Sequence, residues 1–323
     1  MRYAKLFAAV IAVAMTGFGA FADSVTSQPL VDTQWAKDHL SDDKIVFIDL
    51  RNKIDGGNYE TWLEGHVPGS VHSDYLNAGW RVGRDDVVGL LPTEADFSAL
   101  AQQLGVSADS HVVLIPAGVN STDFGSAARA YWTFKVFGHE AVSILDGGYA
   151  KWAKDFPNLI EQGARVAPVA GNFVARFDDA AYASTTGVQA ALGKDDVLLL
   201  DARTEEQFIG EAKHGKALQA GHIPGAVLQS QADAYNASTN QLKSVAELTQ
   251  IYADHADKPI ISYCNTGHWA ATNWFVLSEV LGRKDVKLYD GSMVEWTANS
   301  ENPLGTQSNM DKLKSLFKSV TGS

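Results

Sequence analysis

One half of this chain repeats the other, motif by motif and in the same order. IVFIDLR at 45–51 returns as VLLLDAR at 197–203, EGHVPGSV at 64–71 as AGHIPGAV at 220–227, and SILDGGYAKW at 143–152 as KLYDGSMVEW at 287–296. The copies are 152, 156 and 144 residues apart, far beyond the roughly 20 to 50 residues of a solenoid repeat. The chain should therefore form two copies of one domain, and its 323 residues suffice for both.

Each copy alternates short apolar runs with stretches of helical spacing. The apolar runs are 45–51 and 111–115 in the first copy, and 197–203 and 259–263 in the second. The helical stretches are 33–40, 94–104 and 125–137, and then 186–192, 245–256 and 269–281. This alternation predicts an α/β fold of two tandem domains, each a parallel sheet covered by helices on both faces. We place the domains at 28–157 and 181–305, the linker at 158–180 and a polar tail at 306–323.

The first 22 residues have the pattern of a secretory signal peptide. Arg2 and Lys5 precede an apolar stretch, and Ala20-Phe21-Ala22 supplies a small-x-small cleavage site. The alternative is an uncleaved membrane anchor, but the apolar stretch is short for a spanning helix. We therefore expect an exported, periplasmic protein without stable membrane association.

The charge of the chain excludes one class of partner. The formal net charge is −12, which becomes −14 once Arg2 and Lys5 leave with the signal peptide. An acidic chain without a Lys/Arg block is a poor ligand for nucleic acids or anionic membranes. An anionic substrate must therefore be attracted by local backbone or side-chain groups.

Cys264 is the only cysteine, so the chain cannot form an internal disulfide. Such a residue forms an intermolecular bond, reacts as a thiol or packs as a small hydrophobic group. Cys264 follows the strand PIISY and precedes a helix, the place where doubly wound sheets bind ligands. There the N–H groups of Asn265, Thr266 and Gly267 can curl into a nest that stabilises a sulfur anion. We predict that Cys264 is a catalytic nucleophile.

These motifs resemble those of the tandem-domain rhodaneses, the sulfurtransferase family that includes thiosulfate and 3-mercaptopyruvate sulfurtransferases. The resemblance spans about residues 30–303 and rests on Asp-x-Arg, Gly-His-Ile-Pro-Gly, Cys-x-x-Gly and Tyr-Asp-Gly-Ser with Glu-Trp, in order. It implies that Cys264 takes sulfur from a small anionic donor, becomes a persulfide and passes the sulfur to a thiol, cyanide or a protein. It implies no metal and no organic cofactor.

The resemblance also implies that the first domain is inactive, because the matching segment VVLIPAGVNSTDFGSAARAYW has no cysteine. Counting back from the shared helix puts Asn120 near the cysteine position. The first domain should then help to wall the cleft, with Trp35, Arg81 and His66 as candidate lining residues.

The cysteine loop departs from the patterns of the family. Thiosulfate-type members typically carry Cys-Arg-Lys-Gly and mercaptopyruvate-type members Cys-Gly-Ser-Gly, whereas this loop has Asn265 and Thr266. A second substrate-binding arginine of the thiosulfate group corresponds to Gln207 here. The sulfur donor therefore stays open. The predicted substrate-binding loop consists of Asn265, Thr266, Gly267, His268 and Trp269.

Two loop residues have alternative interpretations. His268 could stabilise the thiolate as an imidazolium or gate a proton near neutral pH, but it could equally face solvent in the first helical turn. Trp269 could form a substrate platform, although a tryptophan is more often a core residue.

Arg203 and His66 are assigned to the cleft or to structure. Arg203 and its counterpart Arg51 occur in both copies, one of which lacks the cysteine, and this favours structural ion pairs. Their expected partners are Glu206 and Glu60. His66 lies in a Gly-His-Val-Pro-Gly turn that is likewise expected to be structural.

Two other functions compete with sulfur transfer by an enzyme. A phosphatase of the Cys-x5-Arg type would need an arginine where this chain has Ala270, so a bidentate phosphate clamp is missing. A non-enzymatic persulfide carrier in a periplasmic relay fits the lack of basic loop residues. Without a second cysteine, the persulfide needs an external acceptor in either case.

Overall fold

A computed structural model describes residues 28–255 and 257–306. The predicted signal peptide and nearly all of the predicted tail lie outside these residues. The strands are β1 (Leu30–Val31), β2 (Ile45–Asp49), β3 (Val71–His72), β4 (Val82–Arg84), β5 (Val87–Leu90), β6 (His111–Ile115), β7 (Val142–Leu145), β8 (Tyr182–Ala183), β9 (Leu198–Asp201), β10 (Val227–Leu228), β11 (Tyr235–Asn236), β12 (Gln241–Leu242), β13 (Ile260–Tyr263) and β14 (Val286–Tyr289). The α-helices are α1 (Thr33–Asp38), α2 (Tyr59–Glu64), α3 (Glu94–Gln103), α4 (Ser121–Val136), α5 (Gly148–Asp155), α6 (Thr185–Ala191), α7 (Glu205–Phe208), α8 (Val245–Ile251), α9 (His268–Trp274) and α10 (Ser292–Ala298). Among the helices so described, none is long and apolar enough to cross a bilayer.

Two five-stranded sheets form the two halves of the protein. Their orders are β1-β7-β6-β2-β3 and β8-β14-β13-β9-β10, and every strand pair in them is parallel. The registers also match, since Asp49 pairs with Ile115 in one sheet and Asp201 with Tyr263 in the other. The predicted α/β fold with a duplicated parallel sheet is confirmed.

Two antiparallel hairpins, β4–β5 and β11–β12, were not predicted from the sequence. Each hairpin contacts the opposite half of the protein. The N–H of Leu91, after β5, donates to Asp290 of the second half at 2.9 Å. Reciprocally, the N–H of Leu242 and the amide of Gln241 donate to Asp146 of the first half at 3.3 and 2.8 Å. Asp290 and Asp146, at matching turns of the two copies, therefore hold the two domains together.

Helices α4 and α9 pack against each other across the domain boundary. Helix α4 follows the loop after β6 in the first domain, and α9 follows the corresponding loop after β13, which contains Cys264 and is called the cysteine loop. Helix α9 continues as a π-helical segment, Phe275–Val280. Edge-to-face aromatic contacts join them, with Tyr131 and Phe124 of α4 against Phe275 at 4.9 and 5.8 Å between ring centroids. The cysteine loop is consequently buried at the interface, whereas Val119 and Asn120 of the loop before α4 are exposed.

The helix α4 begins four residues earlier than its spacing predicted. Asn120 caps it by accepting the N–H of Asp123 at 2.9 Å, and this extends the helix to Ser121.

Candidate active site

Cys264 is the first residue after β13, in the short loop that leads to α9, and its residue surface is only 1% exposed. It borders a cavity of about 310 Å³ at the interface of the two domains. Four of the five predicted loop residues line this cavity too, namely Asn265, Thr266, His268 and Trp269. The structure therefore brings these predicted site residues together around one cavity that the thiol borders.

Ser292 anchors the cysteine loop through hydrogen bonds to its backbone. Its Oγ accepts the backbone N–H groups of Cys264 and Gly267 at 3.0 and 3.1 Å, and its hydroxyl donates to the carbonyl of Tyr289 at 2.8 Å. The N–H groups of Asn265 and Thr266 find no acceptor within the described residues. Of the three predicted nest donors, the N–H of Gly267 is therefore taken by Ser292, and those of Asn265 and Thr266, next to Cys264 in the same loop, remain available to an anion.

Gly267 is the N-cap of α9 and adopts the left-handed conformation, with φ of +69°. A side chain at this position would collide with the guanidinium of Arg129 and the carbonyl oxygen of Asp290. Only glycine combines this angle with such a close approach.

Arg129 and Asp290 form a fully buried ion pair between α4 and the cysteine domain. The same guanidinium donates to the carbonyl of Gly89 at 3.2 Å and lies over the ring of Trp132. No sequence motif pointed to Arg129, because its partner is 161 residues away.

His268 is buried in a network contributed by the first domain. Its Nε2 bonds the carbonyl oxygen of Thr122 at 2.8 Å and its Nδ1 bonds the hydroxyl of Tyr75 at 2.9 Å. Burial and the charge of Arg81 lower the pKa of His268 to about 3. The ring is therefore neutral, Nε2–H donates to Thr122, and Tyr75 donates to Nδ1. The solvent-facing interpretation of His268 is therefore wrong, and the lowered pKa favours a neutral ring over the imidazolium.

Trp269 lines the cavity and also packs, partly buried, against the hydrophobic core, and its indole N–H donates to the hydroxyl of Thr122 at 3.2 Å. Gln207 also lines the cavity, where its Oε1 accepts the amide of Asn265 at 3.1 Å. Gln207 therefore positions the loop from the place where the thiosulfate group carries an arginine.

Arg203 is a structural residue, but its expected partner was wrong. Its guanidinium binds Asp201 in a bidentate pair, at 2.9 and 2.7 Å, and not Glu206. In the first copy Arg51 binds Asp49 in the same way, not Glu60. The Asp-x-Arg spacing explains this, since residues two apart at a strand end point to the same face.

His66 and Trp35 lie away from the cavity. His66 stacks on Trp62 at 3.9 Å between ring centroids, and its Nδ1 bonds the carbonyl of Trp62 at 2.8 Å. Trp35 stacks on His39 at 4.1 Å. Of the three candidates from the first domain, only Arg81 lines the cavity.

The first domain has Pro116, not Asn120, at the place of the cysteine. The strand registers put Pro116 there, and its carbonyl accepts the N–H of Tyr149 as that of Cys264 accepts Met293. Counting back from the helix failed because the segment between strand and helix is longer in this copy.

The nest of the first domain is filled by its own carboxylate. Asp123 accepts the backbone N–H groups of Ala117, Gly118 and Val119 at 3.0, 2.6 and 3.1 Å. This loop therefore has neither a nucleophile nor room for an anion.

Ser292 was missed by the sequence analysis although a signal for it was present. The two copies differ at that position, with Asp-Gly-Gly in the first and Asp-Gly-Ser in the second. A serine that occurs only in the copy with the cysteine marks a residue that serves the loop.

Comparison with known proteins finds rhodanese-like domains and sulfurtransferase relatives over most of the chain. The rhodanese-like domain model matches residues 32–155 and 184–299. A putative thiosulfate sulfurtransferase of Mycolicibacterium smegmatis is 34% identical over 281 residues, which cover 84% of this chain and 95% of that protein. The sulfur carrier protein TtuD of Thermus thermophilus is 33% identical over 282 residues, 83% of this chain and 93% of that protein.

A solved structure agrees as well. The crystal structure of SseA from Escherichia coli, described as a 3-mercaptopyruvate sulfotransferase with the rhodanese fold, superposes with a TM-score of 0.67. It is 30% identical, and the match covers 82% of this chain and 99% of that one. With its two matched domains and its sulfurtransferase relatives, this chain belongs to the rhodanese family.

Proposed function

We propose that this protein transfers sulfane sulfur through a persulfide on Cys264. The observation that carries the proposal is the position of the only thiol, which borders a cavity and shares its loop with two backbone N–H groups that have no acceptor among the described residues. Those donors stabilise an anionic sulfur both before and after it has accepted a second sulfur atom.

The reaction has two steps that balance without a cofactor. The Cys264 thiolate attacks the outer sulfur of the donor, the bond from that sulfur to the rest of the donor breaks, and the electron pair leaves with the donor remnant. Thiosulfate would release sulfite. 3-Mercaptopyruvate would give up its thiol sulfur by cleavage of the carbon–sulfur bond and leave as the enolate of pyruvate, which takes a proton from solvent to become pyruvate. An acceptor thiolate or cyanide then attacks the outer sulfur, and Cys264 leaves as a thiolate.

Steady-state sulfur transfer tests this proposal. The mature protein should transfer sulfur from thiosulfate or 3-mercaptopyruvate to cyanide or a small thiol, and Cys264→Ser should abolish the transfer. Cys264→Ser retaining the activity of the parent protein would refute the mechanism.

A second candidate is a persulfide carrier that serves a protein acceptor. Its support is the likeness to a sulfur carrier protein, together with the lack of basic residues at Asn265 and Thr266. In that case Cys264 loads with sulfur, but turnover with small thiols is slow and a partner protein accelerates it. Comparing kcat with small thiols and with candidate partner proteins separates the two functions.

We also propose that the protein acts outside the cytoplasm, from the signal-peptide pattern of residues 1–22. Fractionation of cells that express the full chain tests this, with mass spectrometry of the N-terminus. A mature protein that begins at Asp23 in the periplasmic fraction is expected, and an intact N-terminus in the cytoplasmic fraction would contradict it.

A further inference from the structure

Three arginines surround the cysteine loop, and only two of them have a carboxylate partner. Arg203 pairs with Asp201, and Arg129 pairs with Asp290. Arg81 has no carboxylate within salt-bridge distance among the described residues. A partly buried guanidinium without a counter-ion is costly unless a ligand supplies the negative charge.

Arg81 is held in place by neutral groups. Its Nη2 donates to the hydroxyl of Thr266 at 2.9 Å, and its Nη1 donates to the hydroxyl of Tyr75 at 3.3 Å. Its Nε is buried and has no hydrogen-bond partner. The residue comes from the segment before β4 in the first domain, yet it contacts the cysteine loop of the second. The guanidinium is thus preorganised beside Cys264 while one of its donors stays unused.

The cavity as a whole favours an anion with a carbon skeleton. Arg81 is the only Lys, Arg, Asp or Glu among its lining residues. Ile54, Leu76 and Val88 supply apolar walls. A volume of about 310 Å³ lies at the lower end of the ~300–1,000 Å³ of pockets for small organic ligands, and a bare inorganic anion would leave much of it unfilled.

A second donor lies on the cavity wall. The Nδ1 of His214 accepts the backbone N–H of Lys216 at 3.2 Å, so in the neutral ring the proton is on Nε2. Burial and the nearby charge of Arg81 lower the pKa of His214, which keeps the ring neutral at pH 7. His214 can therefore donate to a ligand without adding charge.

We propose that Arg81 binds the anionic group of the sulfur donor and so replaces the basic loop residues that the second domain lacks. This inference rests on the proposed function, and it makes the first domain part of the donor site. The favoured donor carries a carboxylate on a short carbon chain, as 3-mercaptopyruvate does. The guanidinium of Arg81 would hydrogen-bond the carboxylate of the donor while the Sγ of Cys264 contacts the sulfur of the donor.

Binding to a protein that cannot react tests the role of Arg81 apart from catalysis. In the Cys264→Ser background, titration calorimetry with 3-mercaptopyruvate and with thiosulfate gives Kd for each. Arg81→Gln should raise Kd for 3-mercaptopyruvate about 10- to 100-fold, the effect of losing a charge-assisted hydrogen bond. Arg81→Lys should recover part of the loss. Arg84→Gln is the matched control, since Arg84 is an exposed arginine three residues further along, in β4, and it donates to the carbonyl of Leu91. It should leave Kd within about twofold.

The outcomes separate this inference from the proposed function. If binding depends on Arg81 but Cys264 of the parent protein never takes up sulfur, the transfer mechanism fails and the anion site stands. If Cys264 takes up sulfur and Arg81→Gln changes neither Kd nor KM, the anion site is refuted and the transfer stands. Equal losses in Arg81→Gln and Arg84→Gln, or no binding of either anion, also refute it. Tighter binding of thiosulfate than of 3-mercaptopyruvate would refute the preference for a carbon skeleton.

Discussion

Ser292→Ala should weaken both the fold and the active loop. The serine hydroxyl makes three buried hydrogen bonds, accepting from Cys264 and Gly267 and donating to Tyr289. A typical net contribution is about 1 kcal/mol for each, and a buried group left unsatisfied costs ~1–3 kcal/mol. The free energy of unfolding should therefore fall by about 3 kcal/mol.

A second variant separates the hydrogen bonds from the backbone angle. Ser292 has a left-handed φ of +49°, which costs a residue with a side chain ~1–2 kcal/mol. Gly148 stands at the matching position of the first domain and has a similar φ of +57°. Ser292→Gly should therefore be about 1 kcal/mol more stable than Ser292→Ala, while both lack the hydroxyl.

Urea unfolding and single-turnover kinetics measure the two effects. Both variants should form the persulfide roughly 10- to 100-fold more slowly, because Cys264 and the N–H donors of its loop lose their alignment. Ser292→Ala with the stability and rate of the parent protein would refute the role of the hydroxyl. A glycine variant less stable than the alanine variant would refute the assigned strain.

Four further predictions concern three residues around the loop. His268→Gln should leave the pH profile of persulfide formation between pH 5 and 9 unchanged in shape, because burial lowers the pKa of His268 to about 3; loss of an inflection in that range would contradict this. Because the pKa of His268 is lower in the folded protein than in the unfolded chain, the unfolded chain is protonated first as pH falls. The difference in unfolding free energy between the parent protein and His268→Gln, measured by urea titration, should therefore shift in favour of the glutamine variant as pH falls from about 6.5 towards 3. Gly267→Ala should destabilise the protein more than Gly193→Ala, because Gly193 has nearly the same φ, +68°, but open space around it. Equal losses of stability in melting experiments would mean that the close approach of Arg129 and Asp290 to Gly267 is unimportant. Asp290→Asn should lower the unfolding free energy by about 3–5 kcal/mol, because it leaves Arg129 buried without its counter-ion, and an unchanged urea midpoint would contradict that.

The sequence predicted what lies within one copy of the repeat better than what lies between copies. The duplicated motifs and apolar runs predicted both parallel sheets, because a buried strand leaves a local signal. The position of Cys264 between a strand and a helix predicted its loop for the same reason. The helix starting at Ser121 was placed too late because capping by Asn120 is a single-residue signal within a polar segment.

Contacts between the domains had no such local signal. Arg81 hydrogen-bonds Thr266, which is 185 residues away in the sequence, and Tyr75 hydrogen-bonds His268, which is 193 residues away. His268 was misjudged for this reason, since its neutral state depends on burial by the first domain. The partners of Arg203 and Arg51 were local, but the strand geometry that selects the aspartates over the glutamates was not considered.

The measurement that tests the account most directly is the intact mass of the mature protein after a single exposure to donor. The protein and its Cys264→Ser variant are incubated separately with 3-mercaptopyruvate and with thiosulfate, and a thiol is then added. We predict an adduct of one sulfur atom on the parent protein, absent from the variant and removed by the thiol. No adduct with either donor, or the same adduct on the Cys264→Ser variant, would contradict sulfur transfer from these donors through Cys264.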